Sequence, residues 1–202
     1  MAQTYVNDPF PSVRSYKWSG FYAGFQGGYS LANIDARSGP FPGAVNESYS
    51  LTSSGFLGGV HFGYNYQFGH YLIGAEVDIE GMNHSSTGAG TLGTARQTDI
   101  DWQTSVRARL GWVEGPWLLY GTAGWVYAGG DSTVGGASFS NRYSGWTAGL
   151  GMERAITNAA SLRLEYRYID YGSSSFTSAV SNVQDKVSIY DNSLRLGLSF
   201  RF

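Results

Sequence analysis

The residue pattern of this 202-residue chain predicts an all-β fold: an eight-stranded antiparallel up-and-down transmembrane β-barrel. Three observations carry the prediction. Apolar and polar residues alternate with the period of two that a strand imposes, in about eight segments, each near the ~9–11 residues of a membrane-crossing strand. Charged residues make up only 14%, against roughly 25% in soluble globular proteins, while aromatics reach 16% and glycines number 29. Finally, short turns alternate with long polar links along the chain, as expected of a barrel with a tight rim and a looped rim.

The elements follow in order. Residues 1–17 hold Asp8, Pro9, Pro11, Arg14 and Lys17 without periodicity and are expected to form a flexible N-terminal tail, with 18–202 forming the barrel. The first segment, 20–31, sets Ala23, Phe25 and Tyr29 against Gln26 and Ser30. In 55–68, Phe56, Val60, Phe62, Tyr64, Tyr66 and Phe68 oppose Gly59, His61, Gly63, Asn65 and Gln67. In 71–84, Ile73, Ala75, Val77 and Ile79 oppose Glu76, Asp78 and Glu80, and in 98–113 Trp102, Val106, Ala108, Leu110 and Trp112 oppose Gln103, Ser105, Arg107 and Arg109. The fifth segment, 117–129, reads "WLLYGTAGWVYAG" and is ambiguous, which leaves its register open. In 142–154, Trp146, Ala148, Leu150 and Met152 oppose Thr147, Gly149, Gly151 and Glu153; in 161–172, Leu162, Leu164, Tyr166 and Tyr168 oppose Arg163, Glu165 and Arg167. The last, 187–202, places Leu194, Leu196, Leu198, Phe200 and Phe202 opposite Ser193, Arg195, Gly197, Ser199 and Arg201. A ten-stranded barrel would need further strands from the long links, where "FSNRYSG" is the only borderline candidate.

Composition also excludes. No apolar run approaches the ~18 residues of a transmembrane helix, and mean hydropathy is −0.21. A net charge of −2 without a Lys/Arg cluster argues against nucleic acid. The absence of cysteine removes disulfides and thiolate metal sites. The opening Met1-Ala2-Gln3-Thr4 has neither the basic nor the apolar region of a signal peptide, so Met1 is expected to precede a mature secreted sequence beginning near Ala2. A soluble ligand-carrying barrel would have an apolar lumen. Here the apolar face carries Trp, Tyr and Phe near segment ends, as a lipid interface requires, and hydrocarbon tolerates only closed β-structure with its charges inside.

The stretches "WSGFYAGFQGGYS" (18–30), "GFLGGVHFGYNYQFG" (55–69), "GWTAGLGMERAIT" and "SLRLEYRYIDYG" resemble the small porin-like outer-membrane proteins of alphaproteobacteria, relatives of the OmpA-type transmembrane barrel. The resemblance runs from Trp18 to Phe202 and is silent in the loops. It implies a signal peptide in the precursor and integral insertion in the bacterial outer membrane. It also implies contact with outer-membrane lipids, lipopolysaccharide and the outer-membrane assembly machinery. The C-terminal "RLGLSFRF" is similar to the signal read by that machinery, through Arg195, Gly197, Leu198, Phe200 and Phe202. The even strand count places both termini at the short-turn rim, expected to be periplasmic.

Eleven charged residues fall on the face assigned to the lumen: Glu76, Asp78, Glu80, Glu153 and Glu165, with Arg107, Arg109, Arg163, Arg167, Arg195 and Arg201. Register estimated from the connections puts Glu76 near Arg107, Glu153 near Arg163 and Glu165 near Arg195. Paired carboxylates can do acid–base work. Carboxylates interleaved with arginines instead stay ionised and hydrogen-bonded, which makes a filled lumen the favoured reading. His84 and Ser86 have the spacing of the His-x-Ser pair of lipid A deacylases, which makes an acyl hydrolase the third reading, with a solvated loop start as its structural counterpart. His61 and His70 lack partners at metal-ligand spacing, no cofactor is expected, and the glycines lack the context of a phosphate loop. The expected function is that of a structural outer-membrane protein with a plugged lumen and no large pore. The alternative is a surface recognition protein, an adhesin or a ligand or haem receptor, acting through loops whose ligand the sequence does not name.

Overall fold

The computed structural model describes residues 16–38, 48–84, 87–89, 95–134, 137–177 and 184–202. It contains β1 (Gly20–Ser38), β2 (Ser48–Phe68), β3 (Tyr71–His84), a short β4 (Thr87–Ala89), β5 (Ala95–Glu114), β6 (Trp117–Val134), β7 (Ala137–Ala155), β8 (Ala160–Thr177) and β9 (Gln184–Arg201). Every pairing is antiparallel, and β1 pairs with both β2 and β9. β3 bonds β2 on one side and β5 on the other, so the wall closes. The three residues of β4 pair with β5 and extend the third wall position, leaving eight positions around the barrel. Among the described residues, no helix is long and apolar enough to cross a membrane.

The strands run farther into the long links than the apolar pattern does. β1 and β2 remain paired to Arg37 and Ser48, and β1 and β9 to Ser38 and Asp185. The apolar alternation marks only the part of the wall that meets hydrocarbon, whereas backbone pairing satisfies N–H and C=O groups whatever the side chain. For the same reason "FSNRYSG" is the first half of β7 rather than an extra strand. The tight turns at Gly69–His70 and Gly115–Pro116, with the bend at 156–159, lie at the rim that also holds Gly20 and Phe202.

Side chains sort by face as the alternation requires. Phe25, Val60, Val77, Val106, Leu110, Leu150, Leu164 and Leu196 are exposed on the outside, while Glu76, Asp78, Glu80, Arg107, Arg109, Arg163, Glu165, Arg167 and Arg195 are buried inside. The structure also settles β6: Trp117, Leu119 and Trp125 face out, and Leu118, Tyr120, Thr122, Val126 and Ala128 face in. A continuous apolar belt of this kind is stable only against lipid. Aromatic rings gather at its two edges. Phe68, Tyr71 and Trp112 form one group, with centroids 5.9 and 5.0 Å apart, and Trp146, Tyr168 and Tyr190 the other, 5.3 and 6.3 Å apart. These are the positions that interfacial girdles occupy.

Val106 lies outside on β5 between Trp102 and Trp112, in the middle of the belt. Val106→Arg is expected to lower folding stability in phospholipid vesicles by about 2–4 kcal/mol, as a midplane cation does on a barrel exterior. Glu114→Arg at the exposed turn should leave it within about 0.5 kcal/mol of the parent. Denaturant titration of both variants measures the difference.

Candidate functional site: the barrel lumen

The inner positions of β3, β5, β7, β8 and β9 bring six carboxylates (Glu76, Asp78, Glu80, Glu153, Glu165 and Asp191) together with five buried guanidinium groups (Arg107, Arg109, Arg163, Arg167 and Arg195). Glu76 is one hub. It accepts from Arg107 Nη2, from Arg163 Nη1 and Nη2 at 2.9 Å each, and from the Tyr22 hydroxyl at 2.6 Å. Glu165 is the other, accepting from Arg107 Nη1 (2.7 Å), Arg163 Nη2 (2.7 Å), Arg167 Nε (3.0 Å) and the Tyr120 hydroxyl (2.9 Å).

Asp78 joins Arg107 (2.9 Å) to Arg167 (3.3 Å) and accepts from Ser105 (2.6 Å). Glu80 receives Arg195 Nε (2.9 Å) and Nη2 (3.0 Å), the Gln26 amide (2.6 Å) and the Gln103 amide. Glu153 accepts from Arg109 and from Ser161. Charged partners at 0–3% side-chain exposure have lost nearly all hydration, and multiple charge-assisted hydrogen bonds offset that loss.

Register and contact differ in an informative way. Glu76 faces Arg107 across β3–β5, Glu153 faces Arg163 across β7–β8, and Glu165 faces Arg195 across β8–β9. The first of these cross-strand neighbours closes an ion pair. Arg163 instead reaches across the lumen to Glu76, and Arg195 reaches Glu80 on β3. A guanidinium on a long stem spans a narrow barrel, so the wall opposite competes with the strand alongside. The sixth arginine, Arg201, is placed apart from the acids. It is the last inner position of β9, and its guanidinium lies over the rings of Tyr16 (4.2 Å) and Trp18 (5.3 Å) at the short-turn mouth. Tyr16, within the segment assigned to the tail, is buried there, while residues 1–15 lie outside the described residues.

Several participants escaped the sequence reading. Tyr22 and Tyr120 point inward and donate to Glu76 and Glu165, and Arg109 stacks 3.8 Å above the Tyr120 ring. Their signal was the facing glycine. A Cβ on Gly63 would stand 2.5 Å from Tyr22 Cζ, and one on Gly151 would stand 2.9 Å from Tyr120 Cε1. Asp191, hydrogen-bonded to Ser30, sits outside the span where strict alternation shows. Two apolar layers bracket the charges. Trp18, Leu72, Val113, Leu118 and Ala155 lie toward the short turns, and Val126, Ala128, Ile169 and Tyr171 toward the loops.

Other candidates gather no chemistry. His61 Nε2 meets Ser199 Oγ at 2.9 Å, His70 Nδ1 meets the Val113 carbonyl at 3.0 Å, and the described residues hold no cluster of three metal-ligating side chains. His84 is in β3, while Ser86 lies outside the described residues. Along the C-terminal strand, Arg195 and Gly197 face the lumen, whereas Leu198, Phe200 and Phe202 face outward. Phe200 lies 6.0 Å from Phe25 and Phe202 lies 6.4 Å from Phe62, and the Phe202 N–H donates to the Phe21 carbonyl at 3.1 Å.

Residues 9–202 match the family described as outer membrane protein beta-barrel domain. The chain is 32% identical to the 31 kDa outer-membrane immunogenic protein of Brucella melitensis biotype 1, over 94% of this chain and 86% of the relative. It is 34% identical to the 22 kDa outer membrane protein of Rhizobium leguminosarum bv. viciae, over 92% and 78% respectively. Among solved structures, Neisserial surface protein A shares the fold, with a TM-score of 0.53 and 18% identity over 91% of this chain and 98% of that one. The closed eight-position wall, the apolar belt and these matches lead to one conclusion: the chain belongs to the outer-membrane β-barrel protein family and is an integral protein of the bacterial outer membrane.

Proposed function

We propose that this protein is a structural barrel of the outer membrane whose lumen is plugged by its own side chains, with both termini periplasmic. The observation that carries the reading is the continuous ion-pair network from Glu153 through Glu76 and Glu165 to Glu80, whose members come from walls on opposite sides of the barrel. An eight-stranded barrel encloses a space about as wide as the side chains that fill it. Arginine held by carboxylates on several strands resists displacement by water or solute. Nothing in this arrangement requires a catalytic role for the acids, each of which is occupied by arginine, tyrosine, serine or amide donors. The Brucella relatives are named for immunogenicity, which favours display of the loops at the cell surface as a second property of the same protein.

Three measurements test the reading. In planar bilayers the protein should give no steady, porin-sized conductance; a stable large current would overturn the plug. Arg107→Ala leaves Glu76, Asp78 and Glu165 each short of a partner, and should destabilise the barrel by about 3–5 kcal/mol if the lumen is dry. A thermal unfolding transition unchanged from the parent would mean that water fills the space. The outward Phe202 is also proposed to complete an address for the assembly machinery. Phe202→Ala should reduce the heat-modifiable folded fraction in the outer membrane much more than Phe10→Ala does, and equal fractions would remove that assignment.

A further inference from the structure

The residues just ahead of β1 do not run away from the barrel. Gly20 has φ of 128°, in the region that side-chain-bearing residues rarely adopt, and the chain before it folds back across the short-turn mouth. Trp18 is fully buried without belonging to any strand, and packs with Tyr16 against Leu72, Val113, Leu118 and Ala155. A reciprocal clasp fixes the fold-back. The Trp18 N–H donates to Gln67 Oε1 at 3.1 Å, and the Gln67 N–H donates to Ser19 Oγ at 2.9 Å. Tyr16 and Trp18 meet edge to face at 4.6 Å, and Arg201, from the last strand, covers both rings.

We infer that residues 16–19 form a strap that seals the short-turn mouth of the lumen and is latched to the closing strand through Arg201. It is a closure separate from the charge network, because it covers the apolar layer on the mouth side of that network. A buried tryptophan outside the wall gains its burial only while the strap is seated, and cation–π contact with Arg201 ties that state to a completed β1–β9 seam. Leu118 and Val113 then stand in a dry compartment between strap and network. Unseating the strap admits water to them without breaking a single rung of the barrel.

The chain has no cysteine, so single thiols report access cleanly. Leu118→Cys in the folded protein in detergent micelles should be nearly inert to a small water-soluble thiol reagent. Adding Trp18→Ala should speed its labelling at least about tenfold, while Trp18→Phe should keep it slow. Gly20→Ala, which strains the fold-back but removes no buried surface, should act in the same direction as Trp18→Ala and guards against a folding defect in the latter. Equal labelling of Leu118→Cys with and without Trp18, in barrels that remain heat-modifiable, would overturn the strap. Val126→Cys, beyond the charge network, separates the two closures. If it stays slow when Trp18→Ala exposes residue 118, strap and plug both stand; if it accelerates as well, the strap stands and the plug does not.

Discussion

The structure depends on one constraint: inside hydrocarbon, every backbone N–H and C=O must be paired within the protein. An open sheet would leave one row of such groups bare at each edge, so β1 must find β9. It does so along an unbroken ladder from Tyr22 with Arg201 to Ser38 with Asp185. Closure around eight wall positions then limits the diameter, and the diameter decides what the inside can be. A wall of eight strands encloses a space about as wide as the side chains that line it, and those side chains are largely polar here.

The interior is therefore a core with inverted chemistry. Carboxylates come from β3, β7, β8 and β9, and arginines from β5, β8 and β9. The bonds between them mostly skip the neighbouring strand. Arg163 on β8 holds Glu76 on β3, Arg107 on β5 holds Glu165 on β8, and Arg195 on β9 holds Glu80 on β3. Each such bond braces the barrel across its diameter, which the backbone ladder alone cannot do. The cost falls on any arrangement that leaves one member unpaired, since a lone buried charge is far more expensive than the pair is favourable. β6 contributes no charge to this region. Its Tyr120 and Thr122 fill beside the guanidinium groups, and a Cβ at Gly124 would come within 2.9 Å of Arg107 Cγ. Gly59 of β2 makes room in the same way, since a Cβ there would come within 2.9 Å of Glu80 Cγ.

The exterior answers to a different solvent. Leu198 and Phe200 are wall residues on the same strand whose opposite face carries Arg195, and the two faces are decided by a period of two and nothing else. Common membership with Brucella and Rhizobium proteins at about one-third identity fits that division. A wall that needs only alternation, glycine where a ring or arginine crosses, and aromatic edges is compatible with many sequences. The fold likeness to Neisserial surface protein A at 18% identity carries the same message further.

The sequence by itself determined which residues face lipid and which face the lumen wherever the two faces differ in polarity, because alternation is a local property of a strand. It also determined the neighbours across the tight turns: a two-residue connection at Gly69–His70 leaves no freedom to the pairing of β2 with β3. The register of β6 was beyond it, since Leu118, Val126 and Ala128 on the lumenal side are as apolar as Leu119 and Trp125 outside. So was the choice of partner for each arginine. That choice follows from which inner positions of distant strands stand level once the barrel closes with its shear, a quantity no single strand contains. Tyr22 and Tyr120 entered the network, and Arg201 left it for Tyr16 and Trp18, for this reason alone. Side chains meet across the lumen by height and reach, and only the closed barrel assigns both.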